Sequence, residues 1–525
     1  MGHAPAHSDA LEAAGREWQA LLGADRVLRA RHVLGRYGRT TLPDASIPVA
    51  VLRPQGVEQV VPVVRVAAAH RVPLYPISRG KNWGWGDACP VTAGQVILDL
   101  SALDRIIAVD EELGYAVVQP GVTQGQLAEH LRATGSAWWL DATAAGPDTS
   151  VLGNILERGG TRDERFARVC GMVVVLADGS EVRTGYGHYP GSRVTHVARW
   201  GIGPSLDGLF SQSNLGVVTA LGFWLQPRPA HAELGYYAVP DEALEAAIDA
   251  LRPFRIRGVI PGQPLQLTPT GDQPVWLGIT TLQGHPQVVA AHREELTAAL
   301  APVARVAFPR PEEAADPDAR AATLAKLGLP ANPFFDNILR RTDPLAAPRM
   351  VPEGLLAWLG GPGVQHPTEP PTSTDPLDHD YGFYFAWPTC PALGREVRAL
   401  LDIVRPILAV HNCPQLMALR FVTGREIVLV MRIAFDRKRE ERRAAARACH
   451  HAIVDATLAA GYPPARMAID GMDRLDPAAD SYWQVVRRLK RCLDPDGILA
   501  PGRYLPPASG GDPVEDGPDR VVSAR

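Results

Sequence analysis

The chain has 525 residues, 46% of them apolar, too long for one small core and long enough for two large domains or three to four of roughly 150 residues. Lys plus Arg number 53 against 57 Asp plus Glu, a formal net charge of -4, so no overall field draws the protein to nucleic acid or an anionic membrane. A small molecule is the expected partner. The six cysteines stand far apart without a C-x-x-C pair, so no zinc spacing or disulfide framework is legible and reduced thiols are expected.

The N-terminal MGHAPAHSDALEAAGREWQALL has no apolar signal core, and no run of 18 apolar residues follows. A cytoplasmic protein without a membrane span is expected, opening on a helix capped by Ser8. SIPVAVLRP (46–54) and VEQVVPVVRVAAAHRVPLYPIS then read as strand, helix, strand. QVILDLSAL is apolar, and YAVVQPGVTQGQLAEHLRATG breaks at Pro120-Gly121 into a Thr-started amphipathic helix. GMVVVLADGSEVRTG (171–185) is a hairpin turning at Asp178-Gly179.

The pattern resets near QPRP (226–229). Beyond it lie a helical PEEAADPDARAATLAKLGLP, a Pro-rich loop at 366–380, the strand YGFYFAW and a charged helix DRKREERRAAARACHHAIVDATLAAG. The segment from AIDGMD to DPDGILAPGRY returns to turn chemistry, and a polar tail from 507 is expected to be disordered. There is no internal repeat.

PISRGKNWGWG (76–86) places glycines where a backbone must approach a ligand closely, with an Arg and a Lys between them. Glycine lets successive N–H groups reach an anion that a Cβ would exclude. SVLGNILERGG (150–160), the Ser-Gln-Ser-Asn cluster within residues 200–227, and DPDGILAPGRY (494–504) are three further segments of this kind.

Together these segments resemble the FAD-binding signatures of the vanillyl-alcohol oxidase and p-cresol methylhydroxylase flavoproteins, in their 4-alkylphenol-oxidising branch. The resemblance runs over about residues 40–230 and 465–505. It implies an α+β protein with a two-part FAD-binding domain (1–232 and 464–506), and between the parts a cap domain (233–463) built on an antiparallel sheet flanked by helices. It also implies that Ser78, Arg79, Gly80, Lys81, Asn82 and Gly84 line the pyrophosphate. Ser150, Gly153, Asn154, Gly216, Val217 and Arg503 would meet the remainder of FAD, and Pro76, Trp85, Pro120 and Gly121 complete the cofactor set.

The chain departs from that branch where substrate would bind. The family's Gly-Tyr-Gly is Gly84-Trp85-Gly86 here, and its Tyr-Arg pair is Ala465-Arg466. Indole has no acidic hydroxyl and alanine offers a phenolate nothing, so only Arg466 remains of the phenolate clamp. It can serve as a fixed cation beside the reduced flavin, or pair with Asp470 or Asp473. Aligning GREIVLVMRIAFD (424–436) puts Leu429 where family members tether the flavin through histidine, so noncovalent FAD is expected. Asp148 is the nearest counterpart of the family's base. Asp163 and Glu164 replace apolar and hydroxyl groups, and with Asp87 and the acidic loop at Asp375, Asp378 and Asp380 they suggest a polar or cationic substrate, unless they are solvated loop charges. His379, His411, His450 and His451 are further acid/base candidates, the last two discounted as members of a charged helix.

The expectation is an FAD-dependent oxidoreductase that takes a hydride from a C–H beside an OH or NH, as in an amino alcohol or amino sugar, and is reoxidised by O2 or another acceptor. Two rivals stand beside it, a 4-alkylphenol or vanillyl-alcohol-type oxidase and a catalytically impaired flavin-binding partner or carrier subunit. The family's habits add a possible homodimer.

Overall fold

Three buried apolar runs open the architecture. Ala50–Leu52, Val96–Asp99 and Leu74–Ile77 form a parallel core, and Val27–Leu28 adds an antiparallel edge. Strands covered on both faces read as continuous apolar runs, as these do. The computed structural model describes residues 4–143, 145–159, 165–260, 264–268, 275–329, 339, 375–475 and 481–506. The Pro-rich stretch 366–374 and the tail from 507 lie outside them.

The second sheet is antiparallel, in the order Ile106–Asp110, Tyr115–Val118, Val217–Trp224, Val169–Val175, Glu181–Arg183. Its last two strands are the expected hairpin, with Gly179 at φ 78 in the turn. The C-terminal segment returns to the first sheet, where Leu74 N–H donates to Ile498 C=O and Ala500 N–H to Leu74 C=O, both at 2.7 Å.

Between these parts lies an antiparallel sheet of eight strands. Its order is Arg305–Ala307, His231–Pro240, Val275–Gly284, Pro264–Thr268, Leu416–Phe421, Glu426–Asp436, Tyr381–Ala386, with Thr389–Pro391 also on Glu426–Asp436. Helices Leu244–Ile256, Pro286–Leu300, Gly394–Val410 and Glu440–Ala459 cover one face, where Leu251, Leu296, Val404 and Ile453 share a core with Leu419, Leu429 and Ile433. Strand alternation therefore turns Phe383, Phe385, Arg420 and Arg432 to the opposite face. That face meets the glycine loop: Phe385 N–H donates to Gly84 C=O at 3.1 Å, and Trp83 packs against Phe383 and Leu416.

Three local expectations need correction. The first helix runs Ala4–Leu22, so Ser8 lies inside it and is no cap. The helical region after 310 is two helices, Pro311–Ala315 and Pro317–Leu327, because the Asp316 side chain accepts from Ala319 N–H and starts the second. Helix Ser481–Leu493 stands where turn chemistry was expected. Its Lys490 is buried, with Nζ donating to the Asn214 and Leu499 carbonyls and pairing with Asp494 at 2.6 Å. The apolar spacing of Tyr482, Val485, Val486, Leu489 and Leu493 is helical, a signal that sequence reasoning missed.

Candidate active site

The ends of the first sheet, the segment around 150–157, the turn at 212–218 and the C-terminal return line one cleft. From the glycine loop, Pro76, Ser78, Arg79, Gly80, Lys81 and Asn82 line it. Pro120, Ser150, Gly153, Asn154, Gly216, Val217 and Arg503 complete the expected set on its walls. Gly153 faces the loop so closely that a Cβ there would stand 2.3 Å from Ser78 Oγ. Ser150 Oγ accepts from Gly153 N–H at 2.9 Å and donates to Pro120 C=O at 2.6 Å, which locks this corner.

Gly84, Trp85 and Gly121 lie outside the lining. Gly84, at φ 77, donates its N–H to Thr41 Oγ1 at 2.7 Å, and a Cβ there would meet Phe385 at 2.5 Å. Gly121 sits against the Ser101 carbonyl, 2.3 Å from where its Cβ would stand. Trp85 is buried, stacked on Phe385 at 5.7 Å and edge-on to Trp387 at 5.2 Å.

Arg466 does line the cleft, and its partner is neither Asp470 nor Asp473. Its guanidinium lies 4.6 Å above the Trp85 ring, and Nη2 donates to Asn82 Oδ1 at 2.7 Å and Glu157 Oε2 at 3.1 Å. Glu157 also accepts from Arg503 and from Tyr504 Oη, the latter at 2.8 Å, and Arg503 donates to Tyr75 Oη at 2.6 Å. Burial alone would raise the Glu157 carboxyl, but the Arg503 and Arg466 cations hold it at about 2. Sequence reasoning missed Glu157, although it follows the Gly-Asn of SVLGNILE by three residues. Gln212, Ser213 and Asn214, from the polar cluster already noted, line the cleft as well.

Among the described residues the expected acids are spread over several contacts. Asp148 is exposed, 3.8 Å from Lys81 Nζ, which Asp375 also approaches at 3.6 Å. Asp378 pairs with Arg39 and Asp380 with Lys438. Asp163 and Glu164 lie outside the described residues. Asp87 does reach the cleft lining. Its Oδ2 accepts from Thr40 Oγ1, Thr41 N and Thr41 Oγ1 at 2.7–2.8 Å, while Oδ1 is buried without a partner. Burial pushes its carboxyl up to about 6 against the pull of the Thr41 and Thr40 bonds.

Leu429 is a second correction. It is fully buried on the helix-covered face of the cap sheet, so it is not the position that looks toward the cleft. Val428, Val430 and Arg432 are the neighbours on the other face. Arg432 lies 5.5 Å over the Phe385 ring. Burial lowers its guanidinium, and that of Arg165 in the opposite domain, to about 10, with Arg168 and Arg420 adding their repulsion at Arg165.

A cleft lined by a glycine loop, helix-capping Ser150 and arginines suits an anionic nucleotide cofactor, and the comparisons make it a flavin. Residues 48–185 match the model of an FAD binding domain and residues 386–504 that of the FAD linked oxidases, C-terminal domain. The 1'-carboxy-chondrochloren decarboxylase of Chondromyces crocatus is 35% identical over 87% of this chain and 90% of its own. The 4-cresol dehydrogenase [hydroxylating] flavoprotein subunit of Pseudomonas putida is 33% identical over 93% and 94%. The crystal structure of p-cresol methylhydroxylase with substrate bound superposes with a TM-score of 0.79 at 27% identity, covering 95% of this chain and 97% of that one. The 4-ethylphenol oxidase from Gulosibacter chungangensis shares the fold, with a TM-score of 0.82 at 23% identity over 95% and 98%. The chain belongs to the vanillyl-alcohol oxidase and p-cresol methylhydroxylase family of FAD flavoproteins, and is an FAD-dependent oxidoreductase. Among the described residues no helix is long and apolar enough to cross a membrane.

Proposed function

We propose that the substrate is an aromatic carboxylic acid, oxidised at a C–H beneath the cap, with FAD held noncovalently. One observation carries this reading. The face of the cap sheet turned away from its helices, which meets the glycine loop at Gly84, presents Arg420 and Arg432 beside Phe383 and Phe385, and its described carboxylates, Glu426 and Asp436, sit at strand ends. A cationic wall lined by rings suits an aryl group carrying a carboxylate and repels an ammonium. Of the acids that suggested an amino alcohol or amino sugar, Asp148, Asp375, Asp378 and Asp380 face lysines or arginines, while Asp87 lines the cleft.

FAD would lie along the Ser78–Asn82 loop, Ser150–Asn154 and Arg503, and supplies the electron sink for a substrate hydride. Arg466, clamped by Asn82 and Glu157 over Trp85, holds a fixed positive charge at the aromatic end of the cleft. Of the two carboxyls that line the cleft and have shifted acidities, Glu157 is too acidic to take a proton. Asp87, near 6, is matched to general-base work at Oδ1. O2 or a protein partner would accept the electrons, since the Pseudomonas relative is itself named as a subunit.

The decarboxylase relative favours a second form of the same reading, in which hydride loss is coupled to loss of CO2. The carbon–carboxylate electron pair then forms the new C=C bond, and no proton has to be removed. Anaerobic mixing with a panel of aromatic carboxylic acids, their amides and aryl amines tests both forms. Bleaching of the flavin by the acids is expected, with CO2 release marking the second form. Bleaching by amines or by 4-alkylphenols alone would overturn the carboxylate reading, and ligand binding without any bleaching would favour a carrier.

A further inference from the structure

On the far side of the cap sheet from the cleft, three side chains from separate elements converge. His450 and His451 come from helix Glu440–Ala459, and Asp470 from the turn Ile469–Leu475. One ligand atom from each lies within 4.8 Å of the others. His450 Nδ1, His451 Nε2 and Asp470 Oδ1 are all buried with no hydrogen-bond partner, and His450 is 1% exposed. Three orphaned polar atoms facing one point are costly unless something occupies it.

The outer contacts already set His450 and Asp470 as ligands. His450 bonds the Phe385 backbone, and since Nδ1 is the unpartnered nitrogen, the other one makes that bond and Nδ1 keeps its lone pair. Tyr384 Oη donates to Asp470 Oδ2, freeing Oδ1, and the Tyr384 ring stacks on His450 at 4.3 Å. Asp455 and Asp473 add negative charge around His451. Arg474 opposes them, with Nη2 3.2 Å from His451 Nδ1.

We infer that His450, His451 and Asp470 form a structural site for one divalent zinc ion that pins the C-terminal return segment to the cap. Two imidazole nitrogens and a carboxylate oxygen are a zinc donor set, with water completing a tetrahedron. Tetrahedral ligands at about 2.0–2.2 Å stand roughly 3.4 Å apart, so loading draws atoms now up to 4.8 Å apart together by up to about 1.4 Å. Arg474 gives up His451 Nδ1 as it does so and keeps Asp455, which it already holds. The site sits four residues beyond Arg466, and Ile469 N–H donates to Trp85 C=O at 3.0 Å. Metal here would therefore brace the segment that delivers Arg466 without touching the reacting atoms.

The rival occupant is one buried water, whose partners stand about 4.6 Å apart at hydrogen-bond distances of about 2.8 Å. The test uses tag-free holoprotein, dialysed against chelator and titrated with zinc, with metal content, calorimetry and Tm as readouts. The expected result is one zinc per chain and a Tm rise of at least about 3 °C at saturation. The rise should vanish in Asp470→Asn and in His451→Gln while FAD stays bound. His451→Gln serves as the milder change should Asp470→Asn fold poorly. Absence of stoichiometric zinc and of any Tm shift would overturn the proposal in favour of water. An undiminished shift in both variants would overturn it by placing the metal elsewhere.

Discussion

Arg466 Nη2 stands 3.1 Å from Glu157 Oε2, joining the C-terminal return to the segment that follows Asn154. Arg503 takes the other oxygen, so one carboxylate neutralises two cleft arginines. Removing it leaves two cations unpaired at the cleft wall, a change that typically costs about 3–5 kcal/mol. Glu157→Gln should therefore lower stability and release FAD, as read by the Tm and by flavin fluorescence in the filtrate. The pH dependence has a definite sign. The folded carboxyl is depressed from 4.5 to about 2, so its stabilisation is full above 4.5 and is lost as pH falls through 4.5 toward 2. Glu157→Gln should flatten that acid limb, and an unchanged limb would place it elsewhere.

Gly84 is the hinge of loop and cap. Its φ of 77 strains any L side chain, and a new Cβ would stand 2.5 Å from Phe385 and 3.1 Å from its backbone nitrogen. Gly84→Ala should cost about 1–3 kcal/mol or more and loosen the cap, shown by faster hydrogen exchange in Tyr381–Ala386. Wild-type exchange there would mean that the loop and cap are not coupled through this contact.

Much of this was legible in the sequence because it rests on backbone geometry. Gly80, Gly153 and Gly216 could be read because a glycine in such a loop advertises close approach, and the Asp178-Gly179 turn because its chemistry is local. Glu157 was not legible, since its role depends on Arg466 and Arg503, more than 300 residues away. Leu429 was misread for a related reason. A one-residue slip along a strand exchanges its two faces, and only the pairing of Leu429 with Leu419 in the helix-covered core settles which way it points. His450 looked solvated within a charged helix, yet its ring lies against Tyr384.

Arg432 provides the test of substrate charge. A charge-assisted hydrogen bond contributes about 1.5–3 kcal/mol, so Arg432→Met should raise KM for an aromatic carboxylate by roughly 10- to 100-fold. The corresponding amide should be affected far less. Equal losses for acid and amide would make Arg432 a packing residue only.

Asp87 should report on the proton. Its carboxyl rises from 3.8 to about 6 in the fold, so the folded state holds its proton more tightly than the unfolded chain does. Stability is then greatest below 3.8 and declines as pH rises toward 6, by up to about 3 kcal/mol. Asp87→Asn keeps an acceptor for Thr40 and Thr41, and should be more stable than the parent at pH 8 but not at pH 4. If Asp87 is the base, kcat/KM loses its limb near pH 6 in this variant. A limb that persists assigns the base to another group, and none at all in the parent favours the decarboxylative form.

The last expectation concerns the flavin itself. On the face of Tyr381–Ala386, Leu416–Phe421 and Glu426–Asp436 turned away from the helices the side chains are Tyr381, Phe383, Phe385, Leu416, Ala418, Arg420, Val428, Val430, Arg432 and Ala434, with Glu426 and Asp436 at the ends. Apart from the two terminal carboxylates, Tyr381 alone among them carries a nucleophile, and burial pushes its hydroxyl up to about 12, far from the phenolate that bond formation needs. Acid precipitation should therefore leave the yellow colour in the supernatant. Colour in the pellet would mean a covalent bond. Tyr381→Phe then decides its origin, because colour freed by that change identifies the tyrosine and colour retained points to a residue off these three strands.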